Sequence, residues 1–149
     1  VIKSLKNGRK IILRNPNATR PWQHVLEPLS GYLTLGHKLM NRELKSSLIP
    51  SWNFGPHKKN CKKVIFIARL FVEEWEEKKQ IITYRKNKNF HESQLLSLNI
   101  QKAQKELSWK PRLTLDETVK FTVDWYKSYF LDNKSEDISN YQTEYYIDK

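Results

Sequence analysis

Cysteine and long apolar runs are both scarce in this sequence of 149 residues. Cys61 is the single cysteine, which excludes an internal disulfide and a cysteine-based zinc site. No apolar stretch approaches the roughly 20 residues of a transmembrane helix, and no signal peptide opens the chain. We therefore expect a soluble cytoplasmic protein. The first residue is Val1 rather than methionine, which is typical of a fragment or a processed product.

Glycine is scarce as well, with four residues at positions 8, 31, 36 and 55. A dinucleotide-binding domain needs a Gly-rich turn after its first strand, where the backbone approaches the pyrophosphate. The sequence has no G-x-G and therefore lacks this fingerprint. The four histidines are far apart and form neither H-x-x-x-H nor H-E-x-x-H, so we expect no metal site.

Acidic residues are outnumbered by basic ones, 16 against 27, which gives a net charge of +11. A basic protein can bind nucleic acid, and a small nucleic-acid-binding module is one reading of this charge. However, 20 of the 27 basic residues are lysines scattered along the whole chain. Nucleic-acid binders more often interleave arginine and aromatic residues on one face, which favours a lysine-rich background surface instead.

The apolar spacing predicts short strands that alternate with helices, which is typical of an α/β fold. Strands are predicted at 10–13, 51–54, 80–84 and 95–98, and loops at 15–23 and 57–63. Helices are predicted at 1–9, ending at Gly8, and at 25–41, 64–77, 100–107 and 115–130, the last beginning at a Thr114 capping box. These strands are too few for a doubly wound sheet, so we expect a small lobe at 1–131, incomplete without a neighbouring domain, and a loosely attached polar tail at 132–149.

The run at 14–32, RNPNATRPWQHVLEPLSGY, is the most informative part of the chain. It contains Arg14, Arg20 and His24, and no acidic residue before Glu27. A basic loop between a strand and a helix suits an anion such as a phosphate.

This run also resembles the CDP-glucose 4,6-dehydratases, which are NAD-dependent enzymes of the extended short-chain dehydrogenase type. Related nucleotide-sugar enzymes have R-D-W-x-Y-V-x-D here, and the form R-P-W-Q-H-V-x-[DE]-P favours the CDP-glucose branch. The resemblance continues, in the same order, through WNFGP at 52–56, HES at 91–93, LLSLN at 95–99 and KAQKELSWKPRLTLDETVKFTVDWY at 102–126.

The resemblance implies that the chain is the C-terminal, substrate-side lobe of such an enzyme, with the Rossmann domain largely absent. In that family the N-terminal domain binds NAD and carries the catalytic Tyr and Lys, so we expect no catalytic residue here. Tyr84–Lys88 and Tyr145–Lys149 have the family's spacing, but one lies in a predicted loop and the other at the end of the tail. The implied partners are a CDP-sugar, a Rossmann half in cis or in trans, and a second copy in a complete homodimer.

The resemblance also assigns candidate binding residues. Arg20 resembles the arginine that pairs with the substrate pyrophosphate, since a guanidinium suits phosphate oxygens. Asn53 resembles an asparagine near the phosphates. Ile12, Leu13 and Arg14 lie where relatives place a strand beside the base, and Arg14 is the residue expected to contact the nucleotide. His91 and Glu92 align with a motif near the substrate.

Each assignment has a structural alternative: a surface arginine for Arg20 and Arg14, a turn residue for Asn53, and a loop pair for His91 and Glu92. Other residues of the run are predicted to have structural roles. Trp22 and His24 are expected to pack and orient, and Glu27 to cap its helix or favour its N-terminal dipole.

Two positions depart from the family pattern. Ser108 replaces a glycine that would end a helix in the left-handed conformation, and Asn99 replaces an aspartate. The remaining alternative is a sibling enzyme, an epimerase or a dehydratase that uses another nucleotide.

Overall fold

The structure, a computed structural model, describes residues 1–44, 51–76, 81–84, 93–132 and 134–149. The helices in these ranges are α1 (Ile2–Lys6), α2 (Leu26–Met40), α3 (Val64–Glu74), α4 (Gln101–Leu107), α5 (Leu115–Lys127) and α6 (Ser135–Asp148). The strands are β1 (Ile11–Leu13), β2 (Thr19–Pro21), β3 (Cys61–Lys63) and β4 (Ile82–Tyr84). A 3₁₀ turn covers Lys58–Asn60, and a π-helical turn covers Ser128–Asp132.

Within the described ranges the strands form two small sheets. β1 runs parallel to β4, with Ile11 opposite Ile82. β2 runs antiparallel to β3, with Arg20 opposite Lys62. The predicted α/β class, with short strands and a few main helices, is confirmed.

The individual strand predictions are only partly confirmed. The segments 10–13 and 80–84 contain β1 and β4, but 51–54 lies outside the strands, and only Leu95 of 95–98 forms a bridge, to Thr19. Conversely, the predicted loops at 15–23 and 57–63 contain β2 and β3. These strands have three residues each, and β2 includes Pro21, so their local sequence resembles a loop. Their pairing arises from tertiary contacts.

One hydrophobic cluster lies on a single face of β1. Ile11 and Leu13 point to this face, and Ile12 between them is 62% exposed, as the alternation of a strand requires. Leu5 of α1 and Ala68 of α3 pack against the buried pair. The β1–β4 sheet is therefore covered by these two helices.

A second cluster surrounds Phe54 of the W-N-F-G-P segment. It contains Phe54, Ile100, Ala103, Leu107 and Trp109. The rings of Phe54 and Trp109 meet edge to face, with centroids 5.1 Å apart. α2 reaches this cluster because Gly31 has no side chain: a Cβ there would lie 2.3 Å from Cδ1 of Phe54. Gly31 therefore sets how closely α2 approaches the core.

The beginning of α5 is fixed locally, as its sequence predicted. The Thr114 hydroxyl accepts a hydrogen bond from the Glu117 N–H at 3.2 Å, and the Glu117 carboxylate accepts one from the Thr114 N–H at 2.7 Å. This reciprocal pair is a capping box, which satisfies two otherwise unpaired backbone donors.

Glu27 lies in the first turn of α2, where an acid favours the helix dipole, but its carboxyl group has a further role that the sequence did not indicate. The residue is 1% exposed. Oε1 accepts hydrogen bonds from the N–H groups of Arg112 at 2.9 Å and Leu113 at 2.6 Å, and Oε2 accepts one from the Tyr146 hydroxyl at 2.8 Å. Glu27 therefore joins α2 to the segment before α5 and to α6.

The segment 132–149 differs from the expected loosely attached tail, because 135–148 forms α6 and this helix is packed. Gln142 and Tyr146 are 3% and 5% exposed, and the Gln142 amide donates to the Phe121 carbonyl at 2.8 Å. The Arg112 guanidinium donates to the carbonyls of Tyr146 and Ile147 at the C-terminal end of α6. Polar contacts and ring contacts together hold this helix, because Tyr141 and Tyr145 pack against the Phe121 ring and Tyr146 is buried in the same cluster. The mainly polar composition of this segment did not reveal the attachment.

Replacing Gly31 by alanine should destabilise the fold. The new Cβ would overlap the buried Phe54 ring, which is itself packed against Trp109, so the neighbours must shift. We expect Gly31→Ala to lower the free energy of unfolding by about 1–3 kcal/mol. Gly36→Ala on the same helix is the matched control, because no atom of the described residues lies within 4 Å of an added Cβ there. It should raise stability by about 0.4–1 kcal/mol. Urea denaturation measures both, and equal effects would contradict the packing described.

Removing the hydroxyl of the buried Tyr146 should destabilise the fold more than removing that of its exposed neighbour Tyr145. Burial, together with the Glu27 carboxyl, raises the pKa of Tyr146 to about 12, so its hydroxyl remains a donor. We expect Tyr146→Phe to cost about 1–3 kcal/mol, because Glu27 loses a buried partner. Tyr145→Phe removes a hydroxyl that donates to Glu117, but Tyr145 is 37% exposed, so its loss should cost less than about 0.5 kcal/mol. Chemical denaturation of both variants would show the difference, and a larger cost at Tyr145 would refute it.

Candidate functional site

Arg20 lies in the middle of β2 and is half-buried. Its guanidinium donates from Nη1 to the carbonyl of Thr19 at 2.9 Å and to the carbonyl of Ser93 at 2.9 Å. β2 is also held by Trp22, whose indole N–H donates to the Lys62 carbonyl on β3 at 2.9 Å. The strand and these side-chain bonds therefore orient the guanidinium.

The segment 93–99 runs along the other edge of β2. The Thr19 N–H donates to the Gln94 carbonyl at 2.8 Å, and the Leu96 N–H donates to the Thr19 carbonyl at 3.1 Å. β2 is therefore enclosed between β3 and the L-L-S-L-N motif. Two motifs that are more than 70 residues apart in sequence are neighbours in the structure.

Asn53 lies near the same group of segments. Its amide donates to the Asn99 carbonyl at 3.4 Å, and the Gln23 amide donates to the Phe54 carbonyl at 3.1 Å. The structure therefore brings together the segments that contain Arg20 and Asn53. Gln23 was not predicted from the sequence, because a glutamine in a polar loop carries no motif or spacing that would indicate this contact. Its Oε1 is buried and has no hydrogen-bond partner among the described residues, so it is an acceptor available inside this region.

An open cavity of about 470 Å³ is lined by residues of the segments 56–58 and 97–104. Its wall includes Asn99, the hydrogen-bond partner of Asn53, together with His57, Lys58, Gln101 and Gln104. Ligand cavities in proteins commonly have volumes of roughly 300–1,000 Å³. Among the described residues the wall contains amides and basic groups but no acid, and it does not include Arg20.

The other sequence-predicted site residues are placed differently. Leu13 is 6% exposed and belongs to the cluster on β1, so only its backbone could face a ligand. Arg14 follows it and is exposed. His91 and Glu92 lie outside the described residues.

His24 follows β2 and is 7% exposed. Its ring meets Phe121 of α5 edge to face at 5.7 Å, and its Nδ1 is 3.4 Å from the N–H of Leu26, at the start of α2. Burial lowers the pKa of His24 to about 4, so the ring is neutral at pH 7. His24 is therefore a packing residue, as its position in the sequence predicted.

Both departures from the family pattern are accommodated. Ser108 adopts the left-handed conformation, with φ of 55°, at the C-terminal end of α4. The Asn99 Oδ1 accepts a hydrogen bond from the Gln101 N–H at 3.0 Å, at the start of α4. An asparagine oxygen can do this as well as an aspartate oxygen, because both serve as helix-start acceptors.

Other kinds of site find no support in the described part of the chain. Those residues contain no cluster of three or more His, Cys, Asp or Glu that could hold a metal. No helix among them is long and apolar enough to cross a membrane. The Tyr145 hydroxyl is engaged by Glu117, and Lys88 of the other Tyr–Lys pair lies outside the described residues.

The sequence is similar to CDP-glucose 4,6-dehydratase of Salmonella typhimurium strain LT2, with 39% identity over 129 residues. The match covers 87% of this chain and 35% of the Salmonella enzyme, so the chain spans about a third of the length of this curated relative. No protein-family model matches the chain.

Solved structures share the fold. dTDP-glucose 4,6-dehydratase of Bacillus anthracis, in complex with NAD, superimposes with a TM-score of 0.70 and 20% identity, over 92% of this chain and 40% of that one. An epimerase of Methanothermobacter thermautotrophicus gives 0.73 and 20%, over 90% and 38%. UDP-glucose 4-epimerase of Thermotoga maritima, with UDP-glucose, gives 0.69 and 18%, over 86% and 38%.

The fold is thus the one found in part of the extended short-chain dehydrogenases, the class of nucleotide-sugar dehydratases and epimerases. Within that class the chain is related to the CDP-glucose 4,6-dehydratases, which confirms the predicted resemblance.

The low pKa of His24 makes stability depend on pH. Between the ordinary histidine pKa of 6.5 and about 4, the unfolded chain binds a proton at this residue and the folded chain does not. The free energy of unfolding should therefore fall as the pH is lowered through this window. His24→Phe should flatten that part of the profile, whereas His37→Gln, at an exposed position of α2, should leave it unchanged. Urea denaturation at several pH values measures this, and identical slopes in wild type and His24→Phe would contradict it.

Proposed function

We propose that this chain is the nucleotide-sugar-binding part of a CDP-glucose 4,6-dehydratase-like enzyme, formed by a lobe at residues 1–131 against which α6 packs. The observation that carries the proposal is the position of Arg20, oriented on β2 by two backbone carbonyls within the run that resembles the family most closely. The 39% identity to the Salmonella enzyme supports it.

Arg20 is proposed to pair with the substrate pyrophosphate. A guanidinium presents five donors in a planar fork, which matches phosphate oxygens better than a lysine does. Orientation by Thr19 and Ser93 reduces the conformational freedom that binding would otherwise remove. A guanidinium held in one direction can select a phosphate by geometry as well as by charge.

The remaining candidate residues are proposed to surround the contact between Arg20 and the pyrophosphate. Asn53, which is hydrogen-bonded to the cavity residue Asn99, is proposed to bind near the phosphates. Leu13 and Arg14 are proposed to lie beside the base. Leu13 would act through its backbone, because its side chain is buried. His91 and Glu92 are proposed near the sugar on the family resemblance alone.

The resemblance implies conversion of CDP-glucose to CDP-4-keto-6-deoxyglucose and water. NAD, the cofactor that the resemblance implies, would supply the hydride chemistry of this conversion. The structural relative from Bacillus anthracis is complexed with NAD. Because these 149 residues contain no Gly-rich cofactor turn, we propose that a separate Rossmann part, in cis or in trans, binds NAD and that this chain alone is inactive.

The sibling reading, a related epimerase or dehydratase, is favoured by one observation: the structural neighbours include enzymes of both kinds that act on dTDP- and UDP-sugars. Competition among CDP-, UDP-, GDP- and dTDP-glucose for the binding site separates the two readings. Preference for CDP-glucose supports the first, and preference for another nucleotide supports the second.

Arg20 should be the dominant nucleotide-binding side chain. A charge-assisted hydrogen-bonded pair contributes roughly 1.5–3 kcal/mol. In a fusion of this chain to the part of the Salmonella enzyme that it does not match, Arg20→Ala should weaken CDP binding about 10- to 150-fold. Arg20→Lys should recover only part of the loss, because it keeps the charge but not the fork. Titration calorimetry with CDP measures this.

The control is Arg69→Ala, which removes the same charge from an exposed position of α3 and should leave CDP affinity unchanged. NAD affinity should be the same in all variants, because the cofactor is proposed to bind elsewhere. Equal CDP affinity in wild type, Arg20→Ala and Arg20→Lys would remove Arg20 from the site.

A further inference from the structure

One face of α2 is apolar and exposed. The side chains of this face, counted from the N-cap residue of α2, are 45–86% exposed: Val25, Leu29, Tyr32, Leu33, Leu39 and Met40. At about 100° per residue these positions fall within roughly one third of the helix circumference. The opposite face is buried through Glu27 and Gly31. We call the exposed face the α2 stripe; a continuous apolar surface of this kind commonly marks an interaction site.

Gly36 lies at the centre of the α2 stripe. A glycine inside a helix costs about 1 kcal/mol relative to alanine. Gly31 on the same helix is explained by its contact with Phe54, but nothing lies within 4 Å of a Cβ added to Gly36. No contact within the described residues therefore requires this glycine. An element that approaches the stripe closely at this point would require it.

The α2 stripe is continuous with the core and close to the candidate site. Tyr32 meets the buried Phe54 ring edge to face at 5.4 Å, so the stripe extends the Phe54 cluster outwards. β2, the strand of Arg20, ends at Pro21, and α2 begins five residues later. In the connection between them, the Gln23 amide donates a hydrogen bond to the Phe54 carbonyl. A partner seated on the stripe would therefore lie against elements that also position Arg20.

We propose that the α2 stripe is the docking face for the cofactor-binding part of the enzyme, and that Gly36 is where that part comes closest. This inference rests on the proposed function. The length of the related proteins identifies what would cover the stripe. This chain spans 35% of the Salmonella enzyme and 37–40% of the solved structures that share its fold. In those proteins more than half of the chain is outside the part that corresponds to this one.

Carbene footprinting tests the docking directly. The 149-residue chain and its fusion to the unmatched part of the Salmonella enzyme are labelled under the same conditions. Labelling of Leu33 and Met40 should fall at least about fivefold in the fusion. Ile147, which is 66% exposed on α6, serves as the internal control and should be labelled equally in both proteins. Equal labelling of the stripe in the two proteins would overturn the proposal.

Gly36→Ala supplies a second measurement, in which the change in Tm should have opposite signs in the chain alone and in the fusion. In the chain alone it should raise Tm by roughly 2 °C, because the space is open and alanine favours the helix. In the fusion it should lower Tm, because the added methyl group meets the docked part. Stabilisation of both proteins by the same amount would contradict close approach at Gly36.

The remaining measurements separate this inference from the proposed function. Sedimentation velocity of the chain alone, with footprinting at the same concentration, detects self-association. A dimer in which Leu33 is protected would show that a second copy of this chain covers the stripe, and this would overturn the proposal. CDP titration of the fusion tests the function independently. A protected stripe without CDP binding would sink the proposed function alone, and CDP binding with an exposed stripe would sink the docking alone.

Discussion

The buried carboxyl group of Glu27 is the contact on which the arrangement of the lobe depends. It accepts hydrogen bonds from two successive backbone N–H groups, of Arg112 and Leu113, and from the Tyr146 hydroxyl. A buried acceptor left without its partners costs about 1–3 kcal/mol, so α2, the start of α5 and α6 are held in one relation to each other. Because α2 follows the strand of Arg20 closely, the same contact also determines where the candidate site lies.

The parts of the fold that the sequence predicted are those fixed by nearby residues. The capping box at Thr114 and the apolar spacing of α2 and α3 involve neighbours within a few turns, and both were recognisable. α6 was not, because much of its attachment uses polar side chains that meet groups distant in sequence: the Gln142 amide donates to the Phe121 carbonyl, and the Tyr146 hydroxyl donates to the Glu27 carboxylate. Such partners leave no periodic apolar pattern, so composition alone indicated a tail.

The candidate site shows the same division. The residue types of the run 14–32 indicated an anion site around Arg20, but not that Arg20 lies on a strand. β2 exists because β3 and the segment 93–99 enclose it, and neither is close in sequence. Asn53 was assigned by motif, whereas its proximity to the Arg20 segment depends on Gln23, which no motif indicated. Residue identity therefore predicted the chemistry, and tertiary pairing determined the geometry.

Net charge is a poor guide to where an anion would bind on this chain. Twenty lysines are spread along the sequence, and an ammonium offers charge without the planar fork of a guanidinium. Arg20 differs because two carbonyls orient it, and because the strand that carries it is tied to the Phe54 segment and to α2. If the cofactor part docks on the exposed face of α2, its binding would restrain the elements that orient Arg20. Nucleotide affinity and domain association would then be coupled through β2 and its connection to α2. The reason is that a ligand stabilises the arrangement of these elements that it binds more tightly.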